Sequence, residues 1–129
     1  RLQRLAQGPV TQDAPGHEIW LDGGHNPDAG LAIARHFSDQ RLHLIAGMLA
    51  GKQRDAIAGP LRAQLARLQI VQVPGHDSHT ASAFGKTAQA AKTVEAALAD
   101  LPGDNLPVLI AGSLYLAGHV LRRNGEIPD

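Results

Sequence analysis

The side chains best suited to chemistry in this 129-residue chain sit in one short run, Asp22-Gly23-Gly24-His25-Asn26-Pro27, directly after an apolar stretch ending at Leu21. The run supplies a carboxylate, two residues that let backbone approach a ligand, an imidazole and a helix-capping amide. Asp22 lies at the carboxyl end of an expected strand, the edge where open α/β sheets bind ligands. Its oxygens can accept two ribose hydroxyls or hold a cation, or they can cap their own turn through the amides of Gly24 or His25. Gly23 and Gly24 permit a positive φ or close approach to a phosphate; a tight turn alone would also explain them. His25 offers a hydrogen bond to a γ-phosphate oxygen, or a positive charge against the one that develops during phosphoryl transfer. Orienting the loop through backbone is its bland alternative. Asn26 suits a helix N-cap, with Pro27 in the first turn and Asp28 well placed against the helix dipole.

Other candidates carry less. Ser113 follows Gly112 at a strand end and opens a helix, so its hydroxyl either meets an anion or serves only as a cap. Tyr115 and Leu116 read as packing. Lys52 reads as a solvated side chain at a helix start. His76-Asp77-Ser78-His79 has the His-x-x-His spacing of metal sites, but no third ligand stands at readable spacing, which favours surface-loop histidines. His17, His36, His43 and His119 are scattered. No nucleophile elbow is present, and no Gly-x-x-x-x-Gly-Lys-[Ser/Thr] run occurs, so the chain encodes no phosphate-cradling loop of its own.

The elements that must position these groups alternate. Strands are expected at Leu2–Ala6, Glu18–Leu21, Leu42–Ala46, Leu68–Val73 and Pro107–Ala111, the third and fifth near-continuously apolar and suited to a sheet covered on both faces. A helix capped by Asn26 runs to Phe37, with Ile33, Ala34 and Phe37 on one face. Ile57, Leu61 and Leu65 give a helical period over Lys52–Ala66, broken or kinked at Gly59-Pro60. Thr93 caps a helix whose face is Val94, Ala97, Leu98 and Leu101, and a last helix spans Ser113–Arg123, ended by Asn124-Gly125. The segment from His76 to Ala91 gives no clear pattern. Alternation of strand and helix with short loops predicts an α/β fold with helices on both faces of a mostly parallel sheet.

Composition narrows the function classes. Twelve Lys+Arg balance twelve Asp+Glu, which gives no electrostatic footprint for nucleic acid or an anionic membrane. The chain has no cysteine, which excludes a disulfide scaffold and any thiolate site. No signal peptide or bilayer-length apolar run is seen, so a cytoplasmic setting is the default. The start at Arg1, without a methionine and apparently inside a strand, suggests a fragment.

Leu21-Asp22-Gly23-Gly24-His25-Asn26-Pro27 resembles the Leu-Asp-Gly-Ala-His-Asn-Pro signature of the folylpolyglutamate synthase/dihydrofolate synthase family, within the Mur ligase superfamily. Arg1-Leu2-Gln3 is similar to the end of that family's Gly-Arg-Leu-Gln, Gly47-Met48-Leu49 to its Gly-Met-Leu, and Gly112-Ser113-Leu114-Tyr115-Leu116 to its Gly-Ser-Leu-Tyr-Leu. These landmarks span nearly the whole chain and match only the family's C-terminal domain. The resemblance implies a Rossmann-like α/β domain over residues 1–129 with a mixed, mostly parallel sheet, the N-terminal ATPase domain being absent.

It also implies an activity for the intact enzyme. ATP phosphorylates a folate or dihydropteroate carboxylate, and the amine of L-glutamate attacks the acyl phosphate. In that scheme Arg1 and Asp22 serve the adenosine part of ATP and His25 the phosphates. Gly23, Gly24, Asn26 and Ser113 complete the nucleotide-binding set, and Mg²⁺ ligands lie in the N-terminal domain. Domain closure excludes water from the transfer. Gly24 stands where the family usually has Ala. Gly51-Lys52-Gln53 replaces the family's Asp-Lys-Asp, so no role of those carboxylates transfers. On this basis the chain is part of an ATP-dependent ligase and inactive alone. The alternative is a stand-alone Rossmann-like module that binds a nucleotide or small acid without catalysis. A third option, the domain of another Mur-type ligase, is opposed by Gly-Ser-Leu-Tyr-Leu and by His-Asn-Pro in place of Asp-Asn-Pro.

Overall fold

The protein is described by a computed structural model that covers residues 1–127. Its elements are β1 (Gln3–Arg4), β2 (Ile19–Asp22), α1 (Pro27–His36), β3 (Leu42–Ala46), α2 (Asp55–Leu61), β4 (Leu65–Ile70), β5 (Ala88–Ala90), α3 (Val94–Ala99), β6 (Val108–Ala111) and α4 (Leu114–Arg123). They build one six-stranded sheet in the order β1-β2-β6-β3-β4-β5, with β1 antiparallel to β2 and every other pair parallel. The α/β class and the mixed, mostly parallel sheet are as expected.

Alternation along the central strands splits the core in two. Leu42, Leu44, Ala46, Leu109 and Ala111 face Ile33 of α1, Phe37 just past its end, and Ile57 and Leu61 of α2. Ile19, Leu21, Ile45, Val108 and Ile110 face Val94, Ala97 and Leu98 of α3 and Leu116, Ala117, Val120 and Leu121 of α4. Successive side chains of a strand point to opposite faces, so one sheet serves two helical layers. The buried run Leu42–Ala46 is a strand covered on both sides, residue for residue as expected.

Three elements differ from the sequence expectation. The helix expected over Lys52–Ala66 runs only Asp55–Leu61, followed by a 3-10 turn at Arg62–Gln64. Leu65, counted there as helical, starts β4 instead, and that strand ends at Ile70 rather than Val73. Pro60 sits inside α2 and has no N–H to donate to the Ala56 carbonyl. Gly30 of α1 packs on that same carbonyl, closely enough that a Cβ at residue 30 would overlap it. The stretch 76–91 is ordered too, with a 3-10 turn at Ala81–Phe84 and the edge strand β5.

Helix ends are secured as the residue types suggest. Asn26 Oδ1 accepts the Ala29 amide at 2.9 Å, Thr93 Oγ1 the Ala96 amide at 3.0 Å, and Ser113 Oγ the Tyr115 and Leu116 amides at 3.1 and 3.3 Å. Gly125, at φ 76°, closes α4 in the left-handed region. The buried Asn124 ties that end to the β1–β2 connection, accepting the Val10 amide at 3.0 Å and donating to the Ala6 carbonyl at 2.8 Å. No helix among the described residues is long and apolar enough to cross a membrane.

Candidate functional site

Strands β2 and β6 are parallel neighbours, yet the helices that follow them leave on opposite faces, α1 on one and α4 on the other. Diverging connections of this kind open a crevice at the carboxyl edge of an α/β sheet. A cleft of about 710 Å³ lies there, walled by the loop Gly23–Asn26, by Arg1 and Gln3 at the entry to β1, and by the outward face of α4. Gly23 packs against Leu114, where a Cβ would meet Leu114 Cδ1 at 3.1 Å, so the loop leans on the first turn of α4.

The residues singled out from sequence divide into two layers. Arg1, Gly23, Gly24, His25 and Asn26 line the cleft. Asp22 and Ser113 lie beneath its wall, 6% and 2% exposed. Asp22 Oδ1 accepts the Gly24 amide at 2.6 Å and stands 3.8 Å from the backbone nitrogen of Arg1. Ser113 Oγ is engaged with the two amides it caps. Asn26 Oδ1 is likewise occupied, whereas the half-buried His25 ring makes no hydrogen bond among the described residues. Gly24 belongs where it is for steric reasons, since a Cβ would stand 2.5 Å from Ala29 Cβ and 2.8 Å from Asp22 Oδ1.

Several cleft residues were not evident from the sequence. Tyr115, expected to pack, is 55% exposed and lines the cleft, while Leu116 beside it is buried as expected. His76, His119, Arg122 and Gln3 join it. Tyr115, Gly118, His119 and Arg122 recur at i, i+3, i+4 and i+7, the polar stripe of an amphipathic helix. That stripe is the signal by which sequence could have found them.

The remaining candidates have structural partners. The His76–His79 loop is stitched to residues 48–52: Ala50 donates to Asp77 O at 2.9 Å, His79 to Met48 O at 2.8 Å, and the His79 ring meets Lys52 O at 2.7 Å. Lys52 is exposed. No group of three His, Asp or Glu suited to a metal occurs among the described residues.

Chemically, the cleft wall carries two guanidinium groups, from Arg1 and Arg122, and three imidazoles, from His25, His76 and His119, with no carboxylate among its lining residues. In a chain of zero formal net charge that is a marked segregation. Guanidinium, imidazole and backbone amide donors suit an anion such as a phosphate ester or carboxylate, and offer nothing to a hard divalent cation that needs oxygen ligands.

A curated relative, the folylpolyglutamate synthase of Lacticaseibacillus casei, is 33% identical over 130 residues, covering 93% of this chain and 28% of that protein. The chain belongs to the folylpolyglutamate synthase family. No family model matches it. Solved folylpolyglutamate synthases share the fold. That of Thermotoga maritima superposes with a TM-score of 0.74 at 22% identity over 95% of this chain and 30% of the other. That of Mycobacterium tuberculosis, solved with ADP and AMPPCP, does so at 0.72 and 20% identity over 98% and 32%. The chain thus spans under a third of the length of these folylpolyglutamate synthases and matches the fold of their C-terminal domains.

Proposed function

We propose that the chain is the C-terminal domain of an ATP-dependent folylpolyglutamate/dihydrofolate synthase. The parent enzyme joins glutamate to a folate or pteroate carboxylate through an acyl phosphate, and this domain contributes one wall of the nucleotide site. The observation that carries the proposal is the cationic, carboxylate-free cleft built on the Gly23–Asn26 loop at the carboxyl edge of β2 and β6. An ADP- and AMPPCP-bound relative supports a nucleotide as the anion.

In this reading each group has a role. Arg1 on the cleft wall and Asp22, buried beneath it and holding the loop through the Gly24 amide, serve the adenosine part. His25 directs its uncommitted ring at the phosphates and offsets charge as the phosphoryl group moves. Gly23 and Gly24 let backbone amides approach the same oxygens. Asn26 and Ser113 fix the helices that flank the site. Magnesium is assigned to carboxylates and hydroxyls of the ATPase domain, and the donors of this cleft complement the anion that it accompanies. A partner domain closing over the cleft excludes water and brings the acid and amine into reach. By itself the 129-residue chain turns over no ligation.

Binding of ADP to this chain, read by amide chemical shifts, tests the proposal. Gly23, Gly24 and His25 shift on titration, and His25→Ala weakens ADP by about tenfold, the loss of one charge-assisted contact. Shifts confined to another surface, or unaltered affinity in His25→Ala, overturn the assignment. ATP-dependent glutamylation by the chain alone would favour a self-sufficient enzyme instead.

A further inference from the structure

At the β4–β5 edge of the sheet the fold leaves one buried polar group unserved. Leu68 and Ile70 of β4 point into the layer of α1 and α2, so Gln69 between them points to the layer of α3 and α4. Its side chain is 2% exposed, yet Oε1 has no hydrogen-bond partner and Nε2 bonds to none of the described residues. A buried carboxamide left unpaired costs stability, because it gives up water without replacing it. This amide is the floor of a groove of about 480 Å³ between β5 and α3. The short side chains of Ala90, Ala96 and Ala99 wall the groove, and the exposed Lys92 and Asp100 stand at its rim. α3 turns Val94, Ala97 and Leu98 to the core, which leaves Ala96 and Ala99 on the groove side. Arg67 holds strand and helix at a set distance. Its guanidinium bonds Gln89 Oε1 of β5 at 2.9 and 2.7 Å, and it reaches the carbonyl and carboxylate of Asp100 just past α3.

We propose that this groove is a second small-molecule site, for a ligand that presents a primary carboxamide or a lactam edge. A carboxamide carries an acceptor oxygen beside N–H donors. The group that satisfies both at once is one of its own kind, with N–H next to C=O, and the two close a pair of hydrogen bonds whichever way the Gln69 amide is turned. A carboxylate offers acceptors only, so it sets an anion against Oε1 and near Asp100 and leaves the oxygen unpaired. A hard divalent cation finds one amide oxygen and a carboxylate already bonded to Arg67, too few oxygens for its shell. One water, with a share of liquid volume of about 30 Å³, serves the amide but leaves most of the groove empty. The alanine walls give a planar ring apolar surface on either side of the polar floor, the usual division of labour in a ligand pocket. The nucleotide cleft lies at β2 and β6, with β3 between it and this edge, so the groove stands apart from the ligase machinery.

Nicotinamide and nicotinate share a ring and differ in carboxamide against carboxylate, and uracil supplies a lactam edge. Each is titrated into the 129-residue chain, with NMR of the Gln69 side-chain NH2 and the Ala90 and Ala96 backbone amides as the readout. Nicotinamide and uracil shift these signals with half-saturation in the range of about 1–10 mM, and nicotinate binds at least about tenfold more weakly. Gln69→Met keeps the length of the side chain but removes both polar atoms, and raises the nicotinamide half-saturation by about tenfold or more. Ala99→Leu fills the groove from an exposed position, leaves Gln69 intact and blocks binding equally. It carries the test by itself if Gln69→Met does not fold. Equal affinity for nicotinamide and nicotinate, or an unchanged half-saturation in Ala99→Leu, overturns the site. Silence of the Gln69 signals up to about 50 mM of every probe does so too, and means that the amide is served by water. ADP keeps the two sites distinguishable: it moves Gly24 and His25 and leaves Gln69 unmoved, whereas a shift at Gln69 on adding ADP alone would overturn a separate groove.

Discussion

Asp22 accepts the Gly24 amide at 2.6 Å from beneath the cleft wall, so one carboxylate both closes the turn after β2 and sets its charge behind the loop that lines the cleft. The two roles can be separated by substitution. Asp22→Asn retains an oxygen for the Gly24 amide and removes the charge. Asp22→Ala removes both and leaves a part-buried N–H unpaired. The alanine variant is expected to lose about 1–3 kcal/mol of unfolding free energy and the asparagine variant less than about 1 kcal/mol. Urea unfolding reads the difference. If ADP affinity then falls in Asp22→Asn despite preserved stability, the charge itself serves the nucleotide.

The caps offer a second test. Ser113 Oγ and Asn26 Oδ1 each satisfy amides at the start of a ten-residue helix. Replacing either by alanine costs about 1 kcal/mol, the usual penalty for losing an N-cap. The helices lie on opposite faces of the sheet, so in the double variant the two losses add within about 0.5 kcal/mol. A strongly non-additive double variant would mean that the two loops act as one unit across the cleft.

Much of this architecture was legible because local chemistry and tertiary position agree. The apolar run Leu42–Ala46 matched its strand residue for residue, and Asn26, Thr93 and Ser113 capped the helices their types suggested. The misreadings occur where packing overrides period. Leu65 continues the spacing of Ile57 and Leu61, but Pro60 and the 3-10 turn end the helix first, and β3 recruits Leu65 as a strand residue. β5 is Ala-Gln-Ala, three residues with no strand signal, defined by the ladder that β4 offers them. At the site, the contiguous loop 22–27 was readable as a unit. The stacked rings of His76 and Tyr115 belong to residues far apart in sequence, and the outward turn of Tyr115 depends on which face α4 lays on the sheet.

The contact between α1 and α2 yields a third prediction. A Cβ at Gly30 would overlap the Ala56 carbonyl oxygen and come within 3.0 Å of Pro60 Cγ. Backbone cannot yield as a side chain does, so Gly30→Ala should destabilise the fold by about 3 kcal/mol or more, the upper part of the range for overpacking. Gly51, with nothing within 4 Å of an added Cβ, is the control, and Gly51→Ala should stay within about 0.5 kcal/mol of the parent. Thermal unfolding of the pair distinguishes steric conflict from a general cost of replacing glycine.

At the opposite edge of the sheet, the buried His43 places Nε2 2.9 Å from Asp104 Oδ2, with the His17 ring 6.0 Å away. Partial burial pushes the Asp104 carboxyl up, but the Leu106 amide, the His43 hydrogen bond and the charges of His43 and His17 outweigh it, so its pKa lies below the ordinary value. A carboxyl whose pKa is lower folded than unfolded binds fewer protons in the native state. Its contribution is therefore complete above the unfolded value, near 3.8, and disappears as pH falls through the lowered folded value. Asp104→Asn removes that dependence. Below about pH 5 its stability deficit relative to the parent should narrow as acid protonates the parent's carboxyl. Urea midpoints below about pH 5 decide it, since a deficit that widens there would reverse the sign of the coupling.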